Sequence, residues 1–329
     1  MSTQKKLPEE AAGKEKAPPL PCGEKTAENF SENLSRKSRT KLPKKKDSSS
    51  CGKNRKTWRA YPAIFRIQLL EAIQYRVAGL AGAATSIFWA LIEITVYTVF
   101  FTYADKASMP GVSNGMSLSQ VISYTWLGQF LFLMQPSGIN PDIQKKIDSG
   151  DVGIELCRPM DLHSLWAAQN AARAASPLLW RGVPVILTGL LMPPALRLSG
   201  PASPGAFFCF LLGCLGAWFL CFSFSTFMCV IRLNVPWGNG PCYMILLIAM
   251  VLGGTYLPLQ LWPDFLQPFL LLQPFAGYTD LPMRLYLGTM PLSKAWLGLG
   301  LPLFWSLIFL LWGKFLMKRR LKTVVVQGG

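Results

Sequence analysis

Residues 206–231 read AFFCFLLGCLGAWFLCFSFSTFMCVI and contain no charged side chain. A helix of about 20 apolar residues is long enough to cross the ~30 Å hydrocarbon core of a bilayer. This stretch exceeds that length and has no charged face to turn toward water. It therefore predicts a membrane-spanning helix.

Five further apolar segments flank this one. They are 77–101, 118–135, 174–196, 239–256 and 296–317. The third segment in chain order is interrupted by prolines, among them Pro177 and Pro184, and the fifth ends in Gly253-Gly254. We predict an all-α integral membrane protein whose six transmembrane helices form one domain, residues 77–317.

Charged residues are scarce and unevenly placed. They make up 15% of the chain, and residues 1–57 hold 15 of the 33 Lys and Arg and 7 of the 17 Asp and Glu. This N-terminal segment nearly lacks large apolar side chains, so it cannot bury enough surface to offset the entropy of ordering. We predict that it is a disordered basic cytoplasmic tail. The rest of the chain has too few charges to cover a soluble body.

The loop charges predict the orientation, because Lys and Arg collect in the cytoplasmic loops of membrane proteins. With the basic tail inside, six spans also put the C-terminal tail, 318–329, inside. The cytoplasmic loops then hold Lys145, Lys146, Arg158 and Arg232, and the outer loops hold Lys106, Arg197, Arg284 and Lys294. Topology thus accounts for the net charge of +16, and we expect no nucleic-acid partner.

The segment 58–76 precedes the first span and differs from it. Tyr61, Phe65, Leu69 and Ile73 recur at every fourth position and form an apolar stripe, with charged residues between them. Such a helix can lie in the membrane interface instead of crossing it. We predict an interfacial amphipathic helix; the alternative is a cytoplasmic extension of the first span.

Two connections are too long to be simple turns. The cytoplasmic one, 136–173, contains PDIQKKIDSGDVGIELCRPMDLH, in which isoleucines are interleaved with charge and Gly150 breaks the pattern. It predicts short helices that dock on a partner, although Ser149-Gly150 also suits a plain turn. The external one, 254–292, is apolar but broken by prolines. Broken backbone at membrane depth must be covered by protein or line a water-filled cavity. This connection predicts re-entrant short helices, with an ordinary extracellular cap as the alternative.

Residues for catalysis or nucleotide hydrolysis are missing. His163 is the single histidine, the eight cysteines form no CxxC pair, and no Gly-Lys pair has the Walker pattern. We therefore predict no catalytic, metal or cofactor-binding residue and no enzyme activity in this chain. Charge buried in lipid is costly, so Glu93, Arg173 and Arg181 inside the spans are functional candidates.

Several motifs follow one another in a distinctive order. They are Ile147-Asp148-Ser149-Gly150, Leu156-Cys157-Arg158-Pro159, Gln273-Pro274-Phe275, residues 282–288 (PMRLYLG) and the final Val326-Gln327-Gly328-Gly329. Over about residues 58–329 the chain resembles the permease subunits of type-2 ABC exporters. The similar subgroup has an I-x-S-G … L-x-x-P loop, a P-F … P-x-R-x-x-x-G external segment and a Val-x-Gly-Gly tail.

The resemblance implies a set of partners. In such exporters two permeases, identical or paralogous, dimerise and sit on a dimer of ATP-binding subunits, which hold the ATP and Mg. This chain would then form the translocation pathway among membrane lipids. It would be a multi-pass protein of the inner (plasma) membrane of a bacterial cell.

The resemblance also implies residue roles. The loop after the second span would be a coupling helix in a groove of the ATPase, with candidate residues Ile143, Ile147, Gly150, Glu155, Arg158 and Pro159. The outer end of the pathway would be closed by the external segment, and the candidate gating or pathway residues are Glu93, Arg181, Gly254, Pro258, Pro263 and Pro274. Two other classes stay open: a membrane-embedded enzyme acting on a lipid or prenylated substrate, and an ion-coupled carrier. The cargo, and whether the pair is a homodimer, are not determined by the sequence.

Overall fold

The computed structural model describes residues 60–74, 76–106, 116–235 and 238–322, and these residues form helices, turns and loops without a β-strand. The predicted tail, 1–57, and the 326–329 motif lie outside the described residues. The α-helices are α1 Ala60–Gln74, α2 Arg76–Lys106, α3 Leu118–Phe132, α4 Pro141–Ser149, α5 Val152–Leu156, α6 Leu162–Pro177, α7 Val183–Leu191, α8 Pro204–Asn234, α9 Gly240–Leu252, α10 Gln267–Leu272, α11 Asp280–Leu287 and α12 Ala295–Leu321. A π-helical turn and four short 3-10 turns complete them, at Leu178–Gly182, Leu259–Leu261, Asp264–Leu266, Pro274–Gly277 and Leu292–Lys294.

Within the described residues, four helical stretches are long and apolar enough to cross a membrane. They are Arg76–Tyr103, Leu162–Leu191, Pro204–Asn234 and Leu292–Leu321. The predicted class, an all-helical multi-pass membrane protein, is confirmed at this level. The helices at the second and fifth predicted spans are shorter: α3 has 15 residues and α9 has 13. At a rise of 1.5 Å per residue they are about 22 Å and 20 Å long, less than the ~30 Å of a hydrocarbon core.

The third predicted span differs from its predicted bounds. Helix was expected over 174–196, with prolines as interruptions, but it runs without a break from Leu162 to Leu191. The side chain of Asp161 caps its start by accepting a hydrogen bond from the N–H of Ser164. Pro184 has no N–H to donate, and the preceding turn is π-helical, with the N–H of Val183 donating to the carbonyl of Leu178 five residues back. This wider turn carries the helix past the prolines that would otherwise break it.

Helix α8 is the centre of the bundle. Half of the residues in its most apolar stretch are buried, compared with 22% to 28% in the corresponding stretches of the other three long helices. A Cβ atom at Gly213 would lie 3.3 Å from the Cα of Pro282, and one at Gly216 would lie 3.5 Å from the Cβ of Pro302. Small residues are common at helix contacts in membranes, because close van der Waals packing drives helix association there and the hydrophobic effect does not. These glycines bring α11 and α12 against α8.

The chain after α9 turns back into the bundle. The ring of Tyr278 lies 6.2 Å from that of Phe224, and the ring of Tyr286 lies 5.1 Å from that of Phe210. This segment therefore runs antiparallel to α8. It lies along fourteen residues of that helix, a length of about 21 Å at 1.5 Å per residue. A re-entrant segment has to run back along a spanning helix in this way. Its depth in a bilayer stays a prediction.

Two glutamine side chains satisfy the carbonyl groups that the broken helices of this segment leave unpaired. Nε2 of Gln267 donates to the carbonyls of Leu259 at 2.7 Å and Trp262 at 3.0 Å. Nε2 of Gln273 donates to those of Leu252 at 2.7 Å and Leu270 at 3.0 Å. Irregular backbone away from water needs such partners, so the glutamines explain why several prolines are tolerated here.

Helix α1 packs along α6. The ring of Phe65 makes an edge contact with that of Trp218 at 6.2 Å, and the hydroxyl of Tyr61 accepts a hydrogen bond from the N–H of Asp161 at 3.2 Å. Part of the predicted apolar stripe is therefore used inside the protein. The neighbouring Ile67 and Leu70 remain 63% and 49% exposed. An interfacial position for α1 stays a prediction.

Candidate functional site

A short helical hairpin follows α3 and is made by α4 and α5. Asn140 caps the start of α4 by accepting a hydrogen bond from the N–H of Asp142 at 3.1 Å. Gly150 ends α4 with φ of 81°, in the left-handed region that glycine adopts without strain. The predicted break at Gly150 is thus the turn between two short helices.

Buried polar contacts join the base of the hairpin to the long helices. Nδ2 of Asn140 donates to Oδ1 of Asn170 on α6 at 2.9 Å, and Nδ2 of Asn170 donates to Oγ1 of Thr226 on α8 at 3.1 Å. Ile143, the first predicted coupling residue, is completely buried in the core. The hairpin therefore starts from the bundle core.

A second connection runs from the end of α4 to the end of α8. Arg232 forms an ion pair with Asp148, with 2.5 Å between Nη2 and Oδ1. The same guanidinium donates to Oδ1 of Asn239 at 2.6 Å and to the carbonyl of Val235 at 3.0 Å. Because Arg232 is largely buried, this fork holds the hairpin, the last turn of α8 and the start of α9 together.

Glu155 holds the two arms of the hairpin together. Its Oε1 accepts from Nζ of Lys146 on α4 at 2.6 Å, and its Oε2 accepts from Nε1 of Trp166 on α6 at 3.1 Å. Glu155 is only 5% exposed, so its carboxylate faces these groups and not a docking surface. Its expected contact with a partner would therefore be indirect, through the position of the hairpin.

Two large apolar side chains of the hairpin are exposed, and they lie among exposed charged residues. Ile154 is 64% exposed and Leu156 is 40% exposed. Of the other predicted coupling residues, Ile147 is half-buried, whereas Gly150, Arg158 and Pro159 are exposed. The sequence placed Ile154 and Leu156 in the segment expected to dock on a partner, but they were not among the candidate coupling residues.

Asp161 is a junction of three elements below the hairpin. Oδ2 of Asp161 lies 3.3 Å from Nζ of Lys314 on α12, and it accepts from the hydroxyl of Ser164 at 2.7 Å. Partial burial opposes ionisation of the carboxyl, but the contacts with Ser164 and Lys314 outweigh it and lower the pKa of Asp161 below its ordinary value. With Tyr61 at its N–H, Asp161 joins α1, α6 and α12.

A cavity of about 430 Å³ lies between α2, α3, the π turn and the loop after α9. Three of the predicted pathway residues line it: Glu93, Arg181 and Pro258. Oε2 of Glu93 accepts a hydrogen bond from Nε2 of Gln129 at 3.4 Å. The sequence placed these residues in separate segments, and the fold brings them to one cavity.

Gly254 adjoins this cavity through its wall residue Tyr124. The Tyr124 hydroxyl donates to the Gly254 carbonyl at 2.9 Å. Gly254 has φ of +75°, and a Cβ atom there would lie 2.8 Å from the Tyr124 hydroxyl oxygen. The two remaining gating candidates lie elsewhere, since Pro263 is exposed in a loop and Pro274 opens a 3-10 turn.

A second cavity of about 270 Å³ is mostly polar and shares one residue with the first, Arg181. Its wall includes Arg173, Gln135, Ser176 and Ser225. Sequence reasoning named Arg173 and Arg181 as charged residues in a span but did not bring them to a common space. Their eight-residue spacing on one continuous helix was the available signal, and it was hidden by the expected break at the prolines.

A buried ion pair in α11 was also missed. Nε of Arg284 lies 2.5 Å from Oδ2 of Asp280, which is completely buried, and its Nη2 donates to Oε1 of Gln267 at 2.9 Å. Sequence reasoning had treated Arg284 as an outer-loop charge, although its spacing of four from Asp280 was a signal for this pair.

Fold and cavities together define an all-helical, multi-pass membrane protein with a tethered hairpin at one end and two adjoining open cavities. Neither protein-family models nor curated proteins give a match to the chain. Among the described residues, no group of three or more His, Cys, Asp or Glu is placed to hold a metal ion.

Proposed function

We propose that this chain is the permease subunit of an ABC exporter, and that it forms the pathway for export driven by ATP hydrolysis on a separate subunit. The proposal is carried by two properties of the hairpin α4–α5. The hairpin combines two exposed apolar side chains, Ile154 and Leu156, with polar connections to the long helices. A coupling element needs both properties.

The physical argument concerns how force would reach the pathway. A partner that closes on the hairpin can displace the helices only if the hairpin does not bend at its base. The Asn140–Asn170–Thr226 chain and the Arg232–Asp148 pair resist such bending at two separate points. Charge-assisted and buried hydrogen bonds are the stronger ones, which supports a mechanical role for these contacts.

The six-span arrangement is part of the proposal. α3 and α9 would be the second and fifth spans. Each is too short to cross alone, and the turns that follow it would complete the crossing with their backbone covered by the rest of the protein. The hairpin follows α3 and the re-entrant segment follows α9, so the two would lie on opposite sides of the membrane, the hairpin in the cytoplasm with both chain ends. The hydrogen bonds of Gln267 and Gln273 support placing broken backbone at membrane depth.

The proposal includes the partners. Two ATP-binding subunits carrying ATP and Mg would bind the hairpins of two permeases, identical or paralogous, in the inner membrane of a bacterial cell. Two exposed side chains of α2, Phe88 at 62% and Val96 at 61%, support a contact with lipid or with a partner helix. This chain would then contribute no ATP-hydrolysing site.

The test is to isolate the tagged chain from membranes of its own cells in mild detergent and identify its subunits. We expect an ATP-binding subunit with a Walker motif in stoichiometric amount, and ATPase activity in the complex. Isolation of the chain without such a subunit, together with transport driven by a proton or sodium gradient, would contradict the proposal in favour of a carrier.

A further inference from the structure

Arg181 lies on the wall of both cavities, and no described residue of the chain forms an ion pair with it. Its Nε atom is buried without a hydrogen-bond acceptor. Neither Arg181 nor Arg173 belongs to any of the ion pairs among the described residues. Within the described part of the chain, two guanidinium groups thus line the second cavity without a carboxylate to balance them; Arg181 is half-buried and Arg173 is exposed.

Glu93 is the only carboxylate that lines either cavity within the described part of the chain. Arg181 packs against Gly82 on α2, and Glu93 is eleven residues further along the same helix. That spacing corresponds to about 16 Å of helix, too far for an ion pair. An uncompensated cation in a helix of this kind is costly, so an anion from outside the chain is expected beside it.

The second cavity supplies neutral groups suited to an oxyanion. Hydroxyl groups of Ser137, Ser176 and Ser225 line it together with the two arginines. The planar guanidinium presents a fork of N–H donors that matches phosphate oxygens, and hydroxyls add further donors. A tetrahedral phosphate group can use donors that approach from several directions.

The first cavity supplies an apolar space that adjoins this one at Arg181. Trp89, Phe132 and Pro258 are on its wall, and its volume of about 430 Å³ is larger than that of the polar cavity. The two spaces therefore differ in character but meet at one charged residue. A molecule with a charged head and a hydrocarbon part matches this division.

We propose that the two cavities form one binding site for a membrane amphiphile with a phosphate headgroup. The phosphate lies between Arg173 and Arg181 in the polar cavity, and the adjoining hydrocarbon lies along Trp89 and Phe132. The identification of this amphiphile as cargo rests on the proposed exporter function, whereas its binding does not.

The test measures lipid binding to the purified full-length chain in detergent by native mass spectrometry. The probes are phosphatidic acid and a diacylglycerol with the same acyl chains, which lacks the phosphate. We expect binding of phosphatidic acid and none of diacylglycerol. Loss of a charge-assisted hydrogen bond in Arg181→Gln should lower the affinity about tenfold or more, and Arg173→Gln should lower it as well.

Arg197→Gln is the matched control, because Arg197 is exposed in a loop and lines neither cavity. The affinity of Arg197→Gln for phosphatidic acid should equal that of the wild type. If Arg181→Gln does not fold, Arg181→Lys keeps the charge without the fork and should still bind more weakly than the wild type.

Three results would overturn the proposal. They are equal binding of diacylglycerol, unchanged affinity in both Arg173→Gln and folded Arg181 variants, and displacement of the lipid by inorganic phosphate at the same concentration. The last result would show a site for free phosphate without a hydrocarbon part. Because no ATP-binding subunit takes part, failure here and failure of the exporter proposal are distinguishable.

Discussion

The Nε atom of Arg181 lies 2.6 Å from the position that a Cβ atom on Gly82 would occupy. Gly82 therefore leaves the space in which the guanidinium reaches both cavities. The contact involves the flexible end of the arginine, so a methyl group here would move the side chain before it moved the helices.

Gly82→Ala tests this relationship. Forcing Arg181 out of its rotamer costs about 0.5 to 1.5 kcal/mol, which corresponds to a several-fold loss of phosphatidic acid affinity with little change in thermal stability. Gly300→Ala on α12 is the control, because a Cβ atom there would meet no neighbouring atom within 4 Å. Equal affinity in both variants would contradict the assigned role of Gly82.

Gly254→Ala should destabilise the protein by more than its backbone conformation alone requires. The left-handed conformation costs a non-glycine residue about 1 to 2 kcal/mol. The new methyl group would also displace the Tyr124 hydroxyl and break its hydrogen bond, adding about 1 kcal/mol. Gly150→Ala is the matched control, since Gly150 also has positive φ but has no neighbouring atom within 4 Å. Unfolding in detergent should show the larger loss for Gly254→Ala, and equal losses would mean that the Tyr124 contact contributes nothing.

Glu155→Gln should weaken the hairpin. It removes the charge that Lys146 pairs with while leaving an acceptor for Trp166, and we expect a loss of about 1 to 3 kcal/mol in unfolding free energy. The exposed Arg158 provides the control, because Arg158→Gln should stay within about 0.5 kcal/mol of wild type. If the two variants were equally stable, the ion pair would not be what joins the two arms.

Asp161→Asn should lower stability at neutral pH but not at low pH. The folded-state pKa of Asp161 is lowered, so ionised Asp161 stabilises the fold above the carboxyl's unfolded pKa, near 3.9, and this contribution is lost as the pH falls through the folded value. Asparagine caps a helix about as well as aspartate, so the substitution tests the charge and not the cap. Melting temperatures of both proteins from pH 7 to pH 3 should converge toward the acid end. A constant difference would show that the charge is not responsible.

Much of the fold could be predicted, because a helix that lies in lipid has a long uncharged stretch of its own sequence. An uncharged stretch such as 206–231 predicts its helix without reference to any other part of the chain, and Gly150 predicts the turn of the hairpin from its own position. The bounds of the third predicted span, which is helical from Leu162 to Leu191, could not be predicted in this way. Its start depends on the Asp161 cap, and its passage through Pro184 depends on a π turn, and neither has a periodic signal.

The candidate site was predicted only in part, because its geometry depends on residues far apart in the chain. Arg232 and Asp148 are 84 positions apart, and their ion pair cannot be inferred from either neighbourhood. Glu155 illustrates the same difficulty, since only the fold shows that Lys146 and Trp166 occupy its carboxylate. The gathering of Glu93, Arg181 and Pro258 at one cavity likewise required three-dimensional contacts.

The most direct measurement compares variants at Ile154, an exposed residue of α5, in the complex isolated from membranes. Ile154→Asp places a charge at this position of the proposed docking surface, whereas Ile154→Val keeps an apolar side chain there. We predict that the wild type and Ile154→Val retain the ATP-binding subunit and ATPase activity, and that Ile154→Asp loses both while the permease stays folded. Retention of the subunit with full activity in Ile154→Asp would contradict the assignment of this hairpin as the coupling element.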